Sequence, residues 1–157
     1  MQSQRAIVDL LDLQFASLLQ SLRTLTLSVH NNLLYRSTPA LSVGENILKS
    51  AGVVEQTCGG LTSNLWDDPF EWTLPETLST REHIVDYLTE VMTAKERAFA
   101  SIVNDEVLLK YIAVPWSDNC QLLELLVQTL VKASDYRGRA VATLELLSRI
   151  DPMSDML

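Results

Sequence analysis

Apolar positions along the chain recur at helical steps in four places. Val8, Leu11, Phe15, Leu18, Leu19 and Leu22 are spaced by threes and fours, which predicts a first helix from about residue 3 into the mid-twenties. The next stretch, HNNLLYRSTPALS, is punctuated by Asn31, Asn32 and Pro39 and reads as a connection with room for one short helical turn. Ser42-Val-Gly-Glu45 has the form of a capping box, so a second helix starts there. Its stripe is Val43, Ile47, Ala51, Val54 and Cys58, and Gly59-Gly60 supplies the expected stop. A second capping box, Ser79-Thr-Arg-Glu82, opens a third helix with the stripe Ile84, Leu88, Val91, Lys95/Ala98, Phe99 and Ile102, ending near Asn104-Asp105. Pro115-Trp116-Ser117 then introduces a fourth helix over about residues 118–148. Leu122, Leu126, Leu130, Ala133, Arg137, Val141 and Leu144 fall on one of its faces.

Four long helices predict an all-α bundle. The segment GLTSNLWDDPFEWTLPETL between the second and third helices is long for a simple antiparallel hairpin and long enough to cross an end of the bundle. The 157 residues carry 47% apolar content, rich in leucine, and fit a single domain over 1–157 that buries roughly 70% of its unfolded surface. No basic segment leads an apolar run at the start, and no stretch is apolar for about twenty residues. The expectation is a soluble, cytoplasmic protein. Cys58 and Cys120 form no C-x-x-C pair and read as reduced, packed thiols.

Charge narrows the partners. The net charge is −8, and residues 61–106 hold ten acids against Arg81, Lys95 and Arg97, a local balance of −7. Phosphate backbones and anionic lipid surfaces are bound by clustered Lys and Arg, so neither nucleic acid nor a membrane is expected as a partner.

The segments LLYRSTPALSVGENILKSAGVVE, WDDPFEWTLPETLSTREHIVDYL and above all VPWSDNCQLLELLVQTLVKASDYRGRAVATL resemble the DinB-like proteins of the DinB/YfiT superfamily. The resemblance spans roughly residues 4–148 and implies a four-helix bundle with a long crossing connection between the second and third helices. It also implies a homodimer and, in some relatives, a metal-assisted, thiol-dependent transferase or isomerase. Many relatives hold a divalent metal with one histidine on the second helix and two on the fourth. The latter pair sits at i and i+4, a spacing that places both on one helix face. Carried over, these positions fall on Lys49, Ala133 and Arg137. Alanine has no donor atom and a guanidinium cannot ligate a cation, so the resemblance implies a lost metal site and no cofactor. His30 and His83, with Cys58 and Cys120, show no spacing that rebuilds it.

The replacements bring positive charge, and a buried charge costs several kcal/mol unless paired. Two readings stay open. Asp12, on the row Val8, Asp12, Phe15, Leu19, is the internal partner for Arg137; alternatively the site admits a small external anion, a carboxylate or phosphate that the arginine fork holds with two hydrogen bonds. Lys49 belongs with Arg137 if it faces the same pocket, although on a helical wheel it lies near Glu45 and Gln56, toward water. Gly138 reads as a point of close approach beside the site, since glycine in a helix interior costs about 1 kcal/mol.

The cluster Trp66-Asp67-Asp68-Pro69-Phe70-Glu71-Trp72 reads as tryptophan anchors on the crossing segment with solvated acids. No phosphate loop, nucleophile elbow or H-E-x-x-H pattern occurs. The sequence therefore points to a metal-free small-ligand-binding protein or oligomeric scaffold with Arg137, Lys49, Asp12 and Ala133 as ligand-site candidates. The alternative is a thiol-dependent enzyme in which Arg137 assists a bound thiolate.

Overall fold

The computed structural model describes residues 4–71 and 73–150. The first periodic segment forms α1 (Ala6–Ser28) and the short turn that follows forms α2 (Asn31–Leu34). The later segments form α3 (Val43–Ser63), α4 (Arg81–Ala100) and α5 (Leu122–Ile150). A short 3-10 turn at Pro69–Glu71 and another at Asp105–Leu109 flank α4. The described residues are thus mostly helical, as the apolar periodicity predicts.

Local chemistry sets the helix ends. The box at the start of α3 is present in full: Glu45 N donates to Ser42 Oγ at 3.2 Å, and Ser42 N donates to Glu45 Oε1 at 3.4 Å. At α4 the cap is Thr80 and not Ser79, because it is the Thr80 hydroxyl that accepts from His83 N. Gly59-Gly60 does not end α3. The helix continues to Ser63 and stops at Asn64, whose φ of 55° is the left-handed turn that closes it. The N-terminus of α1 borrows a distant cap, the Asp105 carboxylate, which accepts from Ile7 N at 3.1 Å and Val8 N at 3.0 Å.

Ahead of α5 the structure departs from the expected helix start. Residues Tyr111–Val114 (β1) and Ser117–Gln121 (β2) form an antiparallel hairpin around Pro115-Trp116, with an irregularity between Ile112 and Val114. Ile112, Val114 and Cys120 turn toward Leu125 and Trp66, making a small second apolar cluster. The fourth helix therefore starts at Leu122, because residues 117–121 find a strand partner before they can join it.

Side-chain contacts give the directions of the four long helices. Asp105 holds the start of α1, and Leu122 N donates to Lys110 O, so α1 and α5 both begin at the end of the molecule that carries residues 105–121. On α4, Lys95 reaches Asp12 while Arg81 reaches Leu27 O, which sets α4 antiparallel to α1. Ser50 donates to Ala133 O at 2.6 Å and Thr57 meets Thr129 at 2.7 Å, which sets α3 antiparallel to α5. Helices α1 and α5 thus run one way and α3 and α4 the other. The segment from Asn64 to Thr80 must return along the length of α3 to start α4. It does so with the Trp66 carbonyl accepting from Gln56 Nε2, Phe70 beside Lys49, and Tyr35 donating to Leu78 O.

One apolar core lies among these helices, with Phe15, Leu19, Ile47, Ile84, Phe99 and Leu126 fully enclosed. Each such side chain contributes about 1.5–3 kcal/mol by leaving water. The Phe15 and Phe99 rings meet at 5.3 Å and 55°, a tilted pairing that ties α1 to α4. Every position of the predicted stripes of α3 and α4 is buried, including Lys95. Among the described residues no helix is long and apolar enough to cross a membrane.

Candidate functional site

The four candidate side chains do not converge. Ala133 is fully buried against α3, with its carbonyl accepting from Ser50. Lys49 lies on the other flank of α5, its Nζ 4.0 Å from the centroid of Phe70 and 6.0 Å from that of Tyr136. A cation over two aromatic faces, in a cleft that also holds Asp68 and Lys132, is a tie between α3, the crossing segment and α5. Arg137 points the opposite way, into the groove between α1 and α5.

Asp12 belongs to a different interaction. Its Oδ1 lies 2.6 Å from Lys95 Nζ, so the expected Asp12 to Arg137 pair is not formed. The reason is positional. Asp12 lies on the side of α1 that faces α4, whereas Gln14, Ser17 and Ser21 lie on the side that faces α5. Lys95 is 5% exposed and is the buried cation of the core, a role its place in the apolar row of α4 already signals.

The groove that Arg137 enters has a volume of about 180 Å³. Leu18 and Leu130 give it apolar walls, and Gln14, Ser17, Ser21 and Ser134 give it uncharged hydrogen-bonding groups. Ser21 donates its proton to Leu18 O at 2.8 Å. Among the described residues no carboxylate lines the groove. Arg137 Nε is shut off from solvent and has no hydrogen-bond partner among the described residues. A buried donor left unmade costs about 1–3 kcal/mol, more when the group is charged. The serines were legible only as an i, i+4 pair at the margin of the α1 stripe, and nothing in the sequence placed Ser134 opposite them.

Gly138 meets nothing within 4 Å of a Cβ built upon it, so the expectation of close approach at this glycine is overturned. It sits on the exposed side of α5, beyond the groove. Gly138→Ala is accordingly expected to raise stability by about 0.5–1 kcal/mol, measured by urea denaturation, because it adds helix propensity without a clash.

A second groove, of about 310 Å³, lies between α3, α4 and the crossing segment. Glu55, His83, Asp86, Tyr87 and Glu90 line it. The Tyr87 hydroxyl donates to Glu55 Oε2. Burial first, and then the nearby Glu90, push the Glu55 carboxyl above its ordinary range, against the lowering effect of the tyrosine hydrogen bond. A folded-state value above the unfolded one favours the folded state most at low pH, and that advantage is lost as pH rises through the folded value. Glu55→Gln keeps an acceptor for Tyr87 and removes the charge. It is expected to match the parent below the ordinary carboxylate range and to exceed it at pH 8 by no more than about 1 kcal/mol, solvent screening limiting the gain. Urea denaturation at both pH values measures the difference, and identical pH dependence of the two proteins would contradict it.

The three positions onto which the resemblance carries metal ligands do not fit a metal. Ala133 offers no side-chain donor, Lys49 is engaged with Phe70, and Arg137 is a cation on a different flank. Among the described residues no group of three or more His, Cys, Asp or Glu side chains is placed to hold one. The thiols are equally unsuited to nucleophilic work. Burial, the largest effect, pushes Cys58 up to about 12 despite the nearby Lys95, and Cys120 is also raised. Trp66 anchors the crossing segment as expected, packing on Gly60 and edge-on to Trp116 at 5.7 Å, with Asp67 and Asp68 exposed; Trp72 lies outside the described residues. Compared with known proteins, the chain matches no family model, no curated protein and no solved structure.

Proposed function

We propose that the chain is a DinB-like four-helix bundle that binds a small anion between α1 and α5 through Arg137, in place of metal chemistry. The observation that carries this reading is that Arg137, whose Nε has no partner among the described residues, lines a groove with hydroxyl and amide groups and, among those residues, no acid. The parallel α1 and α5, the return of residues 64–80 along α3 and the residues at the three former ligand positions are in keeping with the same reading. Arginine suits the task because its planar fork gives a carboxylate or phosphate two parallel hydrogen bonds and stays charged in a partly desolvated site.

The proposal separates Arg137 from a structural role. Without an added anion, Arg137→Met is expected to leave stability unchanged or raise it by up to about 1 kcal/mol, because the orphaned donor is removed and the apolar stem kept. Sodium acetate at fixed ionic strength is expected to raise the melting temperature of the parent and not of the variant. A large destabilisation by Arg137→Met in acetate-free buffer would point to an internal partner and sink the proposal.

A further inference from the structure

Exposed apolar side chains lie next to the end of the groove away from Arg137. Because α1 and α5 run parallel, one turn toward their shared starting end brings Leu10 before Gln14 on α1 and Val127 before Leu130 on α5. Both are solvent-facing, Leu10 at 56% and Val127 at 44%, with Leu13 and Val131 more exposed still. From the Cα of Arg137 to that of Val127 the helix advances about 15 Å at ~1.5 Å per residue, and an arginine side chain leans back toward the helix start, shortening the span. The groove thus has a cationic, hydroxyl-lined end and apolar walls at Leu18 and Leu130, and past Gln14 the exposed Leu10 and Val127 lie one turn outside its lining.

We infer that the ligand is an amphipathic monocarboxylate of medium chain length. Its carboxylate would sit at the Arg137 guanidinium, within reach of Ser17 and Ser134, the Ser21 proton being held by Leu18 O. Its alkyl chain would lie over Leu18 and Leu130 toward Leu10 and Val127. This rests on the anion-binding reading above. Charge selects the head group: among the described residues Arg137 is the one cation lining the groove, so it balances one negative charge, and a dianionic phosphate would bring a second into a chain of net charge −8. The exposed apolar positions select the tail, since a small polar anion leaves them in water while an alkyl chain removes both its own methylenes and theirs.

Isothermal titration of the full chain with acetate, octanoate and inorganic phosphate, at pH 8 and constant ionic strength, tests this. Octanoate is expected to bind at least about tenfold more tightly than acetate, as follows when several methylenes leave water. Arg137→Gln is expected to abolish both. The exposed double substitution Leu10→Ser with Val127→Ser, checked for helicity by circular dichroism, is expected to leave acetate binding intact and to bring octanoate within roughly twofold of it. Equal binding of acetate and octanoate, or tighter binding of phosphate, would overturn the monocarboxylate assignment while leaving an anion site. Failure of all three to bind the parent better than Arg137→Gln would overturn the anion site as well. A parent that sediments as a dimer and becomes monomeric on the serine substitutions, with octanoate binding unchanged, would assign the apolar face to a second copy of the chain and overturn the tail.

Discussion

Asp12→Ala is expected to cost about 3 kcal/mol and to lower the melting temperature by roughly 6–12 °C. The substitution leaves the Lys95 ammonium, with its side chain 6% exposed, without the carboxylate that lies 2.6 Å away. The value sits at the low end for a broken buried ion pair because Asp12 is 36% exposed and keeps water on one side. Lys95→Met is expected to cost less than about 1 kcal/mol, since it leaves the partly hydrated Asp12 behind and fills the same row of α4 with an adaptable apolar stem. Urea denaturation of both variants measures the asymmetry. Equal losses would show that neither partner is shielded more than the other, contrary to their positions between α1 and α4.

Gly60→Ala is the second large expected effect, at about 2–3 kcal/mol of destabilisation. Two opposing terms decide its sign. Alanine gains about 1 kcal/mol over glycine inside a helix. Against this, a Cβ at Gly60 would fall 2.2 Å from Trp66 Cε3, well inside contact distance. The indole cannot yield cheaply, because Asn64 Oδ1 accepts from its Nε1 at 2.9 Å, its backbone carbonyl accepts from Gln56, and Trp116 meets it edge-on. Displacing Trp66 loosens the first anchor of the segment that returns along α3. The variant should therefore also show a red-shifted tryptophan emission in the folded state. Stability equal to or above the parent would mean that Trp66 does not rest on Gly60.

The same residues show what a single sequence can and cannot reveal. Features written in a few consecutive positions were legible: the Ser42–Glu45 box and the periodic stripes of α3 and α4 lie where the spacing places them. Sequence and structure part where two local signals compete. Ser79 and Thr80 are both good caps, and glycines at 59 and 60 look like a stop although Gly60 admits Trp66 and Gly59 lies against Leu65. The β1–β2 hairpin is hidden in the sequence because residues 118–121 are as polar as a helix start and reveal a strand only beside 111–114. Long-range pairings were least legible. Asp12 and Lys95 are 83 residues apart in sequence, and choosing Lys95 over Arg137 as the partner depends on which flank of α1 faces α4. Arg137 itself was marked by its row on α5, whereas the serines of α1 opposite it needed the parallel packing of the two helices to become neighbours.

On the proposed reading, Arg137 awaits an anion from outside the chain. The most direct measurement is a proton–nitrogen NMR spectrum of the arginine Nε–Hε groups, with Arg137 assigned by its loss in Arg137→Gln, recorded during titration with sodium acetate at constant ionic strength. A saturable shift of the Arg137 resonance that leaves Arg139, already paired with Asp135 at 2.7 Å, in place is the predicted result. An Arg137 resonance that does not move, or that drifts in step with those of the other arginines, would contradict it.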